Sequence, residues 1–372
     1  MDWHVTERGA IEPLELAKAV MDLLNKGRRT ATYKLAALSA LIDYCDQRID
    51  PATLTGPVEV SIDRLAEVMM GIYWRQVERL DNDKPLLQAS KKAAILDEVR
   101  SLRDLADVGH RCPCPSLEAA KNRVGSVVYD RSVRRVRLVL VQEPLSRLQR
   151  IGTGPRNVAG TCLYDDSWMA GAGQGAIDKH GGVFTLYPGV AAGLVETQLL
   201  LRPVIQHLWI EKVWRSNQEM SKLVKNIEEH LFGRPRLPLG SVGKRLKKSF
   251  RPECFYCRTA LETGGHIDHV LPWSTTKIDG VANLVLSCEP CNTSKSDNLP
   301  AIEHVTRALQ RPLAELERIA EAEESETDYE KMRRAASNRY RRASANHADV
   351  WRGRDDFITL DLSSPPDWML GG

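Results

Sequence analysis

The sequence predicts a mainly α protein with α+β parts. Apolar residues recur at spacings of three and four through the first 150 residues. A stretch rich in Gly and Asp, between Gly152 and Gly189, carries short β-like pieces. Two Cys-x-x-Cys pairs, Cys254/Cys257 and Cys288/Cys291, then bracket a polar segment. At 372 residues the chain exceeds the usual size of one domain. The expected division is 1–150, a helical N-terminal region; 151–240, a mixed α/β continuation and linker; 241–300, the cysteine-framed domain; and 301–372, a helical basic C-terminal arm.

Taken in order, Leu14 to Leu24 has helical spacing. A polar break at Gly27 to Arg29 follows, with Thr30 as the cap of a second helix through Cys45. Val58 to Ile62 alternates like a short strand, and Ser61 or Asp63 starts the helix bearing Leu65, Val68, Met69 and Tyr73. Lys84 to Val108 reads as one amphipathic helix. Ser116 to Arg150 reads as helical, with a basic face (Arg131, Arg134, Arg135, Arg137) and room for a short strand at Val136 to Val141. Strand-like pieces follow at Val158 to Tyr164 and Gly182 to Tyr187. Gly171-Ala-Gly-Gln-Gly175 lacks the Lys-Ser/Thr of a phosphate loop and is not read as one. Val190 to His230 is helical again, interrupted at Pro203, and Pro235 and Pro238 form a linker. A helix over Ile302 to Ala322, a basic helix and a Pro-rich tail complete the chain; Trp351, Phe357 and Trp368 are expected to pack back onto the body.

Composition narrows the class. Hydrophobic residues make up 42%, as in ordinary globular proteins, and no run of eighteen apolar residues occurs. With no apolar leader visible, the expected compartment is the cytoplasm, where thiols stay reduced. Cys45, Cys112, Cys114 and Cys162 then count as free. A net charge of +3 says little, but its distribution says more. Lys222 to Arg251 holds nine basic residues against two Glu, and Lys244, Arg245, Lys247, Lys248 and Arg251 lead directly into Cys254. Such a run is what a phosphate track needs. A second cluster, Lys331 to Arg342, has six basic residues, and Glu321 to Glu330 before it carries six carboxylates, read as a solvated helix face.

The cysteine frame decides the functional reading. Four thiolates at this spacing suit one tetrahedral zinc, with no position left for water, so the metal is structural. Between the pairs lie His266-Ile-Asp-His269 and Asn283, and Asn292 and Lys295 follow. Asp268 and Asn292 offer hard oxygen donors suited to Mg²⁺ or Mn²⁺. His269 is then left as a general base. Neighbours on a strand point to opposite faces, so Asp268 and His269 share one site only if the chain bends or ends there. His266 shares the face of Asp268, and Trp273 is read as packing.

The order Cys-x-x-Cys, Ile-Asp-His-Val-Leu-Pro-Trp-Ser, Asn-Leu-Val-Leu-Ser-Cys-x-x-Cys-Asn, Lys-Ser-Asp resembles the zinc-stapled HNH, or ββα-metal, endonucleases over roughly Pro252 to Pro300. Asn292 stands where the family often has its last His. The resemblance implies a ββα domain in which Asp268 and Asn292 hold the catalytic ion and His269 deprotonates the attacking water. Asn283 would orient the His269 loop, and Lys295 would contact a phosphate. It implies DNA as substrate, with RNA as the alternative, and cleavage of one strand per site, so that a homodimer or a partner protein serves double-strand cutting. The texture of the N-terminal region is similar to accessory regions joined to such cores in prokaryotic defence and mobile-element proteins. The competing reading is a non-catalytic zinc module that binds nucleic acid or protein, for which the Asp268, His269 and Asn292 trio has no use.

Overall fold

The computed structural model describes residues 9–26, 32–48, 53–77, 87–88, 93–110, 113–114, 116–151, 158–159, 162–217, 227–232, 239–261, 265–276, 278–323 and 325–370. It is mainly helical, and among the described residues there are four two-stranded sheets. Packing groups the four expected segments into two units, Met1–Arg234 and Pro235–Gly372. The linker prolines Pro235 and Pro238, Thr30 and Cys112 lie outside the described residues.

In the first unit the helices Pro13–Lys26, Tyr33–Arg48 and Ile62–Gln76 form where the periodicity places them. Their apolar stripes close one core around Leu16, Leu41, Tyr73 and Trp209. Val58–Ser61 pairs antiparallel with Val183–Leu186, and Ser61 Oγ accepts from Arg64 N at 3.4 Å as the next helix starts. No helix long and apolar enough to cross a membrane occurs among the described residues.

Three expectations fail here for local reasons. The Lys84 to Val108 helix begins only at Ala94. Leu87 and Gln88 form a non-helical insert: Leu87 exchanges hydrogen bonds with the Asn217 amide, both at 2.8 Å. The buried Gln88 accepts from Thr32 Oγ1 and Trp209 Nε1, each at 3.0 Å. Buried amides need partners, and that requirement overrides helix periodicity. Val136 to Val141 is not a strand. Its chain is the end of the helix Ser126–Leu140, running into a π turn at Val141–Leu145 around Pro144, which has no N–H to give. Pro203 sits inside the helix Gln198–Ser216; the break falls at Thr197, whose hydroxyl bonds the Gly193 carbonyl at 2.6 Å.

In the second unit the strands His266–His269 and Leu284–Ser287 form an antiparallel hairpin, with Asp268 opposite Val285 and His269 opposite Leu284. The helix Glu289–Lys295 follows at once and packs against the first strand. This is the ββα order. Behind it, Leu239–Ser249 buries Val242 and Leu246 against the hairpin. The helix expected over Ile302 to Ala322 is two, Ile302–Leu309 and Leu313–Ala322, split at Pro312.

The C-terminal arm is part of this core. Met332, Ala336 and Tyr340, from the helix Tyr329–Ala345, are buried with Val270 and Leu284. The tail then forms an unexpected hairpin, Asp349–Gly353 with Asp356–Thr359. Trp351 is fully buried, and Trp368 donates to Thr306 Oγ1 at 2.9 Å, whereas Phe357 stays 47% exposed, contrary to expectation. The acidic stretch is not a helix face throughout: beyond Ala322 the backbone of Glu326 and Thr327 accepts from Val281 and Ala282 N–H at 3.0 and 2.9 Å.

Candidate active site

The four cysteine sulfurs lie within 4.8 Å of one another, with Cys254 and Cys291 buried and Cys257 exposed. Cys257 Sγ and Cys288 Sγ are 3.7 Å apart. Zn–S bonds of about 2.3 Å in a tetrahedron separate sulfurs by about 3.8 Å, so the cluster has the span of a zinc site. Arg258 adopts φ 65° to turn the first knuckle, and Phe255 N–H bonds the Leu286 carbonyl at 2.8 Å, pinning the knuckle to the hairpin. Burial raises the Cys254 and Cys291 thiols. At Cys257 burial acts the same way but is outweighed by hydrogen bonds from Thr259 and the neighbouring thiols, which bring it down to about 6. Four sulfurs so disposed ionise together only around a cation.

Asp268 lies on the first strand with its side chain 12% exposed. Tyr256, from inside the first Cys-x-x-Cys, donates its hydroxyl to Asp268 Oδ2 at 2.6 Å. Burial, then the Asp268 charge, holds that phenol well above its ordinary range, so it remains a donor. Lys295 Nζ is 3.1 Å from Asp268 Oδ2 and 3.4 Å from Oδ1. Its side chain is 0% exposed, which corrects the expectation of a phosphate contact: a buried ammonium needs a counter-charge, and Asp268 supplies it. Trp351 and His304 stand edge-on to Tyr256 at 5.1 and 5.2 Å, so the C-terminal arm walls this pocket.

His269 extends the same strand, and Val270 N–H still pairs with the Asn283 carbonyl at 2.8 Å. There is no bend between Asp268 and His269, but the strand ends on His269, and the two side chains meet different partners. His269 Nε2 lies 2.6 Å from Asp279 Oδ1, with the side chains 17% and 11% exposed. Gly280 allows this: a Cβ there would stand 2.3 Å from Asp328 Cβ, so only glycine lets the Asp279 loop lie against that chain. The fully buried Asn283 closes the loop. Its Oδ1 accepts from Leu271 N–H at 2.8 Å, and its Nδ2 donates to the Leu271 and Ile278 carbonyls at 3.0 Å.

Asn292 sits half-buried on the helix Glu289–Lys295, and its side chain makes no hydrogen bond among the described residues. The structure therefore brings Asp268 together with Lys295, and Asn283 with the His269 loop, on the strand against which the Asn292 helix packs. His266 is exposed and Trp273 half-buried. Sequence reasoning missed Tyr256, which looks like filler between two cysteines, and Asp279, which no spacing rule ties to His269. Of the basic track, Lys244, Lys248 and Arg251 are exposed and Lys247 half-buried. Arg245 is also exposed, but its guanidinium is paired with Glu323 and the Ala322 carbonyl.

Residues 254–301 match the family model described as HNH endonuclease. The segment fits an HNH endonuclease with a cysteine zinc site. The HNH match begins on the first zinc cysteine and ends just beyond the helix carrying Asn292 and Lys295. Residues 14–150 match a domain of unknown function, DUF8808. No curated protein and no solved structure matches the chain.

Proposed function

We propose that the second unit is a metal-dependent endonuclease that hydrolyses phosphodiester bonds of DNA. The observation that supports this most directly is the Asp279–His269 contact one residue beyond a carboxylate that is itself held by Tyr256 and Lys295. A purely structural zinc module has no need of two such sets.

Asp279 engages Nε2, so the ring's other nitrogen, Nδ1, is the one left to take a proton. A water bound beside it gives that proton to Nδ1, the resulting hydroxide forms the new bond to phosphorus, and the bond to the leaving deoxyribose oxygen breaks, that oxygen taking a proton from solvent. Asp279 stabilises the imidazolium that results. Asp268 and the Asn292 amide form a donor set suited to a hard ion that retains several waters, and Asp268 Oδ1 keeps lone pairs beyond those used by Lys295. Bound there, Mg²⁺ or Mn²⁺ supplies Lewis-acid stabilisation of charge on the phosphate and leaving oxygen. The basic residues Lys244, Lys247, Lys248 and Arg251 would track the backbone. Defence or mobile-element biology and a homodimer or partner protein are proposed on the sequence resemblance alone; a cytoplasmic setting, where thiols stay reduced, is proposed separately.

Supercoiled plasmid incubated with the full chain and Mg²⁺ or Mn²⁺ tests the reading. Nicked or linear product that disappears with chelator and with His269→Ala supports it. Cleavage undiminished in His269→Ala, or no cleavage of any nucleic acid by the wild type, overturns it.

A further inference from the structure

Away from Asp268 and His269, a cavity of about 210 Å³ opens between the helix Leu239–Ser249, the zinc knuckle and the helix Ile302–Leu309. Four guanidinium groups line it, those of Arg251, Arg258, Arg307 and Arg311, against the single carboxylate of Glu253. That carboxylate is already taken by Arg258 at 2.6 Å.

The other three arginines have no carboxylate within ion-pair distance among the described residues. Arg311 is spread over carbonyls, with Nη1 on Leu284 at 2.8 Å, Nη2 on Ala282 at 2.5 Å and Nε on Ala308 at 3.1 Å. Arg307 lies 4.5 Å over the Phe255 ring and donates one Nη2 bond to His304 Nδ1 at 2.7 Å. Its Nε is buried with no hydrogen-bond partner. Buried charges are ordinarily paired, and an orphaned buried donor costs about 1–3 kcal/mol. Burial, and for Arg307 the neighbouring Arg258 charge, lowers both guanidinium groups, Arg311 to about 10. The arrangement is one anion short.

We infer that this cavity binds a phosphate group of a nucleic-acid backbone, held by the Arg307 guanidinium and the exposed Arg251. Planar forks match phosphate oxygens, and Arg311 is too committed to carbonyls to do more than add charge. The inference takes its substrate class from the proposed function but uses none of its chemistry.

Binding is therefore measured without cleavage, on the full chain carrying His269→Ala. Anisotropy of a labelled 20-base-pair duplex is followed against salt, and inorganic phosphate is titrated by calorimetry. Arg251→Gln and Arg307→Lys are compared with Arg354→Gln, which removes an exposed charge outside the cavity. Roughly tenfold weaker duplex binding for the cavity variants, with the salt slope reduced by about 0.9 per lost contact and Arg354→Gln unchanged, supports the site. Lost phosphate binding with duplex affinity intact supports the anion site but assigns it to a free phosphate. Equal effects from all three variants, or none, overturn it. Should Arg307→Lys fail to fold, phosphate calorimetry on Arg251→Gln decides: lost phosphate binding supports the site, and retained phosphate binding overturns it. Wild-type protein that cuts nothing, while the cavity variants still lose duplex affinity, defeats the proposed function and leaves this site standing.

Discussion

His269 Nε2 and Asp279 Oδ1 lie 2.6 Å apart although ten residues separate them in the chain. Both are mostly buried, and the loop joining them is clamped by Asn283 at Leu271 and Ile278. On the proposed reading of His269 as the base, the contact leaves Nδ1 as the nitrogen that would face a substrate. Asp279→Asn keeps the shape and replaces the carboxylate with an amide. We expect kcat for plasmid cleavage to fall about 10- to 100-fold with KM little changed, and the His269 nitrogen resonances to lose their single-tautomer pattern. Unchanged kcat with an unchanged spectrum would remove Asp279 from the mechanism.

Asp268 is held from two sides, and the two holds should separate experimentally. Tyr256→Phe removes only a hydrogen bond, so it should raise the Mg²⁺ concentration needed for half-maximal cleavage while leaving a folded unit. Lys295→Ala strands a mostly buried carboxylate and should cost about 3–5 kcal/mol in denaturant unfolding. A fully stable Lys295→Ala protein would mean that the pair is dispensable.

Zinc is expected to carry folding energy. Cys254→Ser, or a strong chelator, should abolish bound zinc and unfold the second unit, whose core includes Cys254 and Cys291. Zinc content by atomic emission together with a thermal melt checks this; a zinc-free variant that melts normally contradicts it.

A pH effect follows from His304. Burial, reinforced by Arg307 donating to Nδ1, depresses the imidazole below its ordinary 6.5, although the Arg352 carbonyl at Nε2 pulls the other way. Below pH 6.5 the unfolded chain therefore takes up a proton that the folded chain refuses. The resulting stability is fully present above 6.5 and is lost as pH falls from there toward the folded value. His304→Gln should lose less stability than wild type between pH 7.5 and 5.5 in matched melts; parallel losses would refute the assignment.

On the basic helix, charge removal should sort by partner. Lys244→Gln and Lys248→Gln should weaken nucleic-acid binding and flatten its salt dependence. Arg245→Gln should act mainly on stability, because its guanidinium is spent on Glu323. Equal loss of affinity from all three would show that the Glu323 pair opens on binding.

By itself the sequence determined what local spacing encodes. Cysteine pairs with two residues between them suit zinc knuckles, Gly and Pro punctuate, and apolar periodicity lays out most first-unit helices, while the ββα order came from the resemblance of the motif to HNH endonucleases. Asp268, His269, Asn283 and Asn292 could be singled out as candidates because each sits at a short offset within that frame. Tertiary structure decided what depends on long-range pairing. It turned Lys295 inward to Asp268, drew Asp279 onto His269, folded Trp351 of the tail against Tyr256, and gathered arginines from distant segments around one cavity. Buried charges and amides must find partners wherever the packed chain brings them, and no period in the sequence records which partner that is.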